Sequence, residues 1–148
     1  MKNVTIKHVE KYDFDIWLAL WKHYQQFYRV NIDDYVVSKS WERFLDTDEP
    51  MNAALAFVDG KALGLVHWLY HRSSWSVGNY CYLQDLFVSD NARSNGVGRA
   101  LIEHVYTAAK INEASRVYWL THETNHTAMR LYDQMADKPG FVQYRKIF

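Results

Sequence analysis

The dipeptide Asp59-Gly60 restricts the fold of this chain more than any other feature. With Lys61 it separates two apolar runs, Ala53–Val58 and Ala62–Tyr70. Asp-Gly between apolar runs is a hairpin signal, so the middle of the chain is committed to adjacent antiparallel strands. Tyr80–Val88, β-branched and aromatic-rich, extends them into a meander. The remaining elements must pack around that meander.

Asn3–His8 alternates apolar and polar residues as a half-buried strand does. Asp13 can cap a helix from Phe14, in which Phe14, Trp17, Leu18, Trp21, Tyr24 and Tyr28 recur at helical spacing. A second, shorter helix is expected over Ser40–Leu45, stopped by Thr47–Pro50. Gly96–Ile111 places Val97, Leu101, Val105 and Ala108 on one helical face. Arg116–Leu120 reads as a short buried strand and Asn125–Met135 as a helix ended by Pro139-Gly140. Phe141–Phe148 is expected as a final extended segment. The strand–helix–strand unit across Gly96–Ile111 requires a crossover between parallel strands. The expected architecture is α/β: a mixed, mostly antiparallel sheet with helices on both faces, in one domain spanning residues 1–148.

Composition narrows the function classes. The chain has 148 residues, with 17 basic and 17 acidic side chains and a formal net charge of +0. Hydrophobic residues at 49% and charged residues at 23% exclude a disordered or linker-like chain. Balanced charge argues against a nucleic-acid partner, which normally meets a surplus of Lys and Arg. The lone cysteine, Cys81, leaves no intramolecular disulfide and no Cys-built zinc site, as suits a reducing cytoplasm. Met1–Glu10 has no apolar signal-peptide region, and no apolar run approaches the ~18 residues of a membrane span.

Chemistry is concentrated in one loop. Strand Leu83–Val88 leads through Ser89–Ala92 into Arg93-Ser94-Asn95-Gly96-Val97-Gly98-Arg99 and then a helix. Helix N-termini offer unpaired N–H groups and the positive end of a dipole. Gly96 and Gly98 allow close backbone approach, and Arg93 and Arg99 add charge, so an anion is favoured here. Arg99-Ala100 stands where a P-loop needs Lys-Ser/Thr, and Leu101 where a dinucleotide fingerprint needs a small residue.

The stretch Arg93–Gly98 resembles the R/Q-x-x-G-x-G/A loop of the GNAT superfamily of acyl-CoA N-acyltransferases. A second similar block is Asn125-x-x-Ala128-x-x-Leu131-Tyr132, ending at Gly140-Phe141. The pair looks most like the small histone/polyamine-type members. The resemblance implies that Arg93, Ser94, Asn95, Gly96, Val97, Gly98 and Arg99 hold the pyrophosphate of acetyl-CoA. It implies that the backbone of Phe87 and Val88 pairs with the pantetheine arm, that Asn125 contacts that arm, and that Tyr132 sits near the thioester sulfur. The strands Tyr80–Val88 and Arg116–Leu120 would splay apart to open the cleft. Homodimers are common among similar proteins.

Acetyl transfer to an amine needs a neutral amine, stabilisation of an oxyanion, and a proton for the leaving thiolate. A free alkylamine has a pKa near ~10, so the first requirement is a base or desolvation. The backbone N–H of Val88 suits the second, and Tyr132 suits the third as general acid. Relatives often carry Glu before Asp in this strand, where this chain has Gln84-Asp85. Neighbouring strand residues point to opposite faces. Asp85 therefore reaches the cleft through a local bulge, or a water chain takes the proton, or the amine arrives neutral. For the acceptor, Tyr24, Phe27, Tyr28, Asp33, Asp34 and Tyr35 gather around the end of the first helix. Carboxylates among aromatics suit a cationic amine. Tyr28, Asp33, Asp34 and Gln84 are accordingly the candidate acceptor-binding residues. The acceptor itself is a small amine, a polyamine, or a protein Lys or N-terminus.

Two competing readings belong to other classes. One is a non-catalytic coenzyme A-binding module of the same fold. The other is a zinc metallopeptidase, because His122-Glu123-Thr124-Asn125-His126 fits H-E-x-x-H. That motif works only on a helix, and Thr124 and Asn125 look like caps that leave His122 outside it, so no metal is expected. His8, His23, His67, His71 and His104 show no ligand spacing and read as structural or solvated.

Overall fold

The computed structural model describes residues 3–92 and 95–148, so the loop residues Arg93 and Ser94 lie outside the described residues. Its sheet has strands β1 (Val4–His8), β2 (Met51–Val58), β3 (Lys61–His71), β4 (Tyr80–Val88) and β5 (Arg116–Tyr118), in that spatial order. The first three pairings are antiparallel, and β4 and β5 are parallel. Helices α1 (Phe14–Phe27), α2 (Asp34–Leu45), α3 (Val97–Ile111) and α4 (His126–Met135) complete the α/β architecture.

Asp59 and Gly60 both take positive φ, 51° and 78°. A two-residue turn with that geometry matches the twist of the strands it joins, and the hairpin forms as expected. Asp13 precedes α1 but does not cap it with its side chain. Its buried carboxylate instead accepts from the Glu10 N–H and from Lys7 Nζ, at 2.8 and 2.7 Å.

The second helix is longer than the expected Ser40–Leu45. It starts at Asp34, where an acidic first turn favours the helix N-terminus. Val37, Trp41 and Phe44 then share its buried face. The last strand is shorter than expected, ending at Tyr118. Phe141–Phe148 joins no strand of the sheet, and Phe141, Val142, Tyr144, Ile147 and Phe148 are exposed. The sheet edge at β5 spans only Arg116–Tyr118 and gives that segment little ladder to extend.

Each sheet face carries its own core. Val66, Trp68, Cys81, Leu83, Leu101, Ile102 and Val105 pack on the α3 side, where Leu131 and Tyr132 of α4 join them. Trp17, Trp21, Trp41, Phe44, Leu55 and Leu65 pack on the α1–α2 side. Much of the aromatic excess is spent there: the Trp17 ring lies 4.8 Å from Trp41 and 5.9 Å from Phe44. No helix among the described residues is long and apolar enough to cross a membrane.

Candidate active site

The site begins with an irregularity in β4. His67 pairs with Asp85, but the next residue of β3, Trp68, pairs with Leu83, leaving Gln84 opposite nothing. Such a bulge inserts one residue and shifts the alternation of side chains. Before it, Cys81 and Leu83 enter the α3-side core; after it, Leu86 and Val88 pack against that core, while Phe87 packs on the opposite face. Asp85 is thereby turned to the α1 side, the bulge route that the sequence left open.

There Asp85 has two side-chain partners. Tyr24, on α1, donates its hydroxyl to Oδ1 at 2.9 Å. His67 Nδ1 lies 3.0 Å from Oδ2. His67 Nε2 in turn lies 2.9 Å from Trp17 Nε1. Fourteen per cent of the Asp85 side chain remains exposed (14%), against 5% for His67. A carboxylate offers about four lone-pair positions, so Asp85 keeps acceptor capacity after both bonds.

Phenols surround this charge. Burial and then the Asp85 charge hold the Tyr24 hydroxyl well above the usual tyrosine value, and its bond to Asp85 adds to the effect. Burial first and Asp85 second also raise Tyr28 and Tyr82. The Tyr28 ring packs 4.7 Å from Tyr24, and the Tyr82 ring stacks 4.9 Å from Tyr118.

The strands β4 and β5 pair only at Tyr80–Arg116, Cys81–Val117 and Tyr82–Tyr118, after which β5 ends while β4 runs on to Val88. This is the expected splay. Ser89 N–H bonds to Leu63 O, towards β3. Successive strand amides alternate in direction, so the Val88 N–H and C=O face away from β3, into the opening. Leu86 shares that direction. Phe87 does not: its carbonyl turns to β3, 3.0 Å from where a Cβ on Gly64 would stand. The outward backbone groups are thus those of Leu86 and Val88, a correction to the pairing assigned to Phe87.

At the mouth, Asn95 and Gly96 form the turn before α3, with Gly96 at φ 75°. Ala100 N–H to Gly96 O is the first bond of the helix, so the amides of Val97, Gly98 and Arg99 precede its hydrogen-bonded ladder. A Cβ on Gly98 would come 3.1 Å from Leu131 Cδ2 and 3.7 Å from Val88 Cγ2, so this glycine sets how closely α3 approaches α4 and β4. The Arg99 guanidinium turns to the end of α4, donating to Gln134 Oε1 and to Met135 Sδ. Its charge is engaged there, and its backbone N–H is what it offers the loop.

Asn125 caps α4 by position, and its side chain donates to Thr121 Oγ1 at 3.2 Å. Tyr132, two turns further along α4, packs edge-on to Trp119 at 5.5 Å. Burial, with a smaller contribution from Tyr28, pushes its hydroxyl up to about 12. Tyr28 packs against Tyr24 of α1, while Tyr132 packs with the core on the α3 side.

Asp33 and Asp34 are not part of this cluster. Both are exposed at the start of α2, and Asp34 lies 3.7 Å from Lys22. Gln84 is exposed in the bulge. His122 stands before α4, which begins at His126, so the two histidines of the H-E-x-x-H pattern share no helix face. Sequence reasoning missed His67 and the role of Trp17. Only the β3–β4 register, bulge included, brings His67 opposite Asp85, and no spacing rule announces it.

Comparisons with known proteins bear on the fold and the family. The profile of the Acetyltransferase (GNAT) family matches residues 17–136. The D-amino-acid N-acetyltransferase HPA3 of Saccharomyces cerevisiae is 39% identical over 145 residues, covering 97% of this chain and 90% of that protein. Among solved structures, the ribosomal-protein-alanine N-acetyltransferase of Brucella melitensis superposes with a TM-score of 0.79 at 21% identity, covering 99% of this chain and 100% of that one. AAC(6')-Iy, in complex with the bisubstrate analogue CoA-S-monomethyl-acetylneamine, superposes with a TM-score of 0.83 at 18% identity, covering 99% of each.

Proposed function

This chain belongs to the acetyltransferase (GNAT) family, whose members use acetyl-CoA, and on that footing we propose that its acceptor is a small primary amine received by Asp85. Acetyl-CoA supplies the acetyl thioester. The residues present fit it: the outward Val88 amide and the first-turn amides of α3, which precede the helix's own hydrogen-bonded ladder, are the kind of donors such a molecule needs. Gly96, Val97, Gly98 and Arg99 would hold the pyrophosphate through backbone N–H groups, Asn95 shapes the turn with its own N–H bonded to Ala92 O, and Arg93 and Ser94 are assigned there by the sequence motif. Leu86 and Val88 would pair with the pantetheine arm along β4, with Asn125 on the far side of the cleft.

Asp85 attracts the amine as its ammonium form and takes or relays its proton. Tyr24 donates to it and the Tyr28 and Tyr82 phenols, which its charge raises, keep their protons, an environment that suits a cation. The Val88 N–H is directed to the oxyanion. Tyr132 donates a hydrogen bond to the departing sulfur. With its hydroxyl near about 12 against ~8.5 for an ordinary thiol, it stabilises the thiolate as a donor while keeping its own proton.

One observation carries this reading: the parallel pair β4–β5 stops at Tyr118 while β4 continues, with Asp85 held from the α1 side of the sheet and Tyr132 packed on the α3 side. The preference for a free amino acid or similar amine draws on the 39% identity to a relative named for D-amino acids. A homodimer is proposed as well, supported by the exposed apolar side chains of Phe141–Phe148, and a reducing cytoplasm by the lone, buried Cys81.

The test is free-thiol release from acetyl-CoA by the purified chain against D- and L-amino acids, polyamines, and peptides with a free N-terminus or Lys. Turnover concentrated on the small amines is expected. Turnover confined to the peptides would overturn the acceptor class. Calorimetric binding of acetyl-CoA with no thiol release from any amine would return the chain to a coenzyme A-binding module.

A further inference from the structure

Nothing in the proposed chemistry explains why a buried histidine stands behind Asp85. His67 lies in the middle of β3, paired in register with Asp85 and only 4% exposed. The rings of Trp21 and Phe44 pack against it, each 4.6 Å between centroids. With both ring nitrogens engaged and no route to substrate, it is not placed to act as a base.

Its protonation is nevertheless determined by its partner. An indole N–H can only donate. Trp17 Nε1–H points at His67 Nε2 from 2.9 Å, so Nε2 must accept and cannot carry a hydrogen. The single ring proton therefore sits on Nδ1, where it donates to Asp85 Oδ2 at 3.0 Å. An imidazolium would set one N–H against another inside an aromatic core. A lysine or arginine in the same place would hold Asp85 equally well but would cancel its charge.

We propose that Trp17 and His67 form a positioning pair: Trp17 fixes the ring tautomer, and His67 uses it to anchor Asp85 Oδ2 while leaving the carboxylate's negative charge for a cationic acceptor amine. Tyr24 anchors the other oxygen from α1. The carboxylate is thus prevented from rotating, and its free lone pairs stay directed at the exposed edge. The inference rests on the reading that Asp85 receives the amine.

The test has a spectroscopic and a kinetic arm, both on the full chain. Long-range 1H–15N correlation at neutral pH on histidine-labelled protein reads the tautomer without reference to catalysis. The expected result is a protonated Nδ1 and a bare Nε2 at His67, lost in Trp17→Phe. A proton on Nε2, or on both nitrogens, would overturn the proposal. Kinetically, His67→Leu should raise KM for the amine about tenfold, as fits loss of one hydrogen bond to a charged group, with KM for acetyl-CoA unchanged. His67→Asn, whose amide can replace the Nδ1–H, should recover most of that loss. Equal KM in His67→Leu and wild type, with Asp85→Asn impaired, would overturn the positioning pair alone. An unimpaired Asp85→Asn would overturn the amine-receiving role of Asp85 and the pair with it. If His67→Leu does not fold, the wild-type and Trp17→Phe spectra still decide the tautomer.

Discussion

At the scale of single residues, the proposed chemistry rests on Asp85 and Tyr132, which would act in different ways. Replacing Asp85 by Asn keeps the shape but removes the charge and one of the two acceptor oxygens that Tyr24 and His67 use, and kcat/KM should fall by ~10²–10⁴ as for loss of a positioned acid–base group. Activity unchanged between pH 6 and 9 would count against that role. Tyr132→Phe should leave acetyl-CoA affinity intact in calorimetry and slow turnover by roughly ten- to a hundredfold, the loss of one donor to developing charge. Raised phenols also make a stability prediction. A folded-state value above the unfolded one means that the folded protein holds its proton longer, so stability is full below the unfolded value near ~10 and falls as pH rises through the folded value. Chemical denaturation curves for this chain should therefore weaken above pH ~10, less so in Tyr132→Phe, where the group that reaches about 12 is absent. Asp85 and Tyr132 could be nominated from the sequence because each sits in a contiguous motif. His67 was not, since it meets Asp85 only through pairing of two strands whose register is broken by an unpaired Gln84. Asp33 and Asp34 were legible only as composition, and composition does not say which way a helix start faces.

At the scale of elements, strong local rules were reliable. The Asp59-Gly60 turn is built on two positive φ values, and Gly60→Ala should cost about 1 kcal/mol or more in urea denaturation with kinetics unaltered. The α3 helix and the parallel step to β5 followed from apolar periodicity and the crossover rule. Elements defined by tertiary contact were misjudged. The first residues of α2 carry exposed Asp34, Tyr35 and Val36, so its apolar stripe became visible only towards Trp41 and Phe44. The end of β5 was misplaced because Trp119 and Leu120 are apolar enough for a strand, yet Trp119 packs beside Tyr106 and Tyr132 instead of continuing the ladder. Cys81 illustrates the opposite case: a lone thiol surrounded by strand residues read as buried, and it is, with burial pushing it up to about 12.

At the scale of the whole molecule, the two faces of the sheet meet at one place, the gap beyond Tyr118. The exposed segment Phe141–Phe148 is the part of the chain least provided for within a single copy. Removing it after Gly140 should convert the proposed dimer to a folded monomer, read by light scattering together with an unchanged far-ultraviolet spectrum. A wild-type monomer at micromolar concentration would count against the dimer. The bulge at Gln84 has a consequence for comparing this chain with its relatives. It behaves like a frameshift in the assignment of side chains to faces: two successive positions, Gln84 and Asp85, fall on the same side of the sheet. A carboxylate can therefore migrate by one position along the chain without leaving the cleft. On the role proposed for Asp85, a column-by-column comparison that scores Gln for Glu as a lost base would overlook the carboxylate one position along.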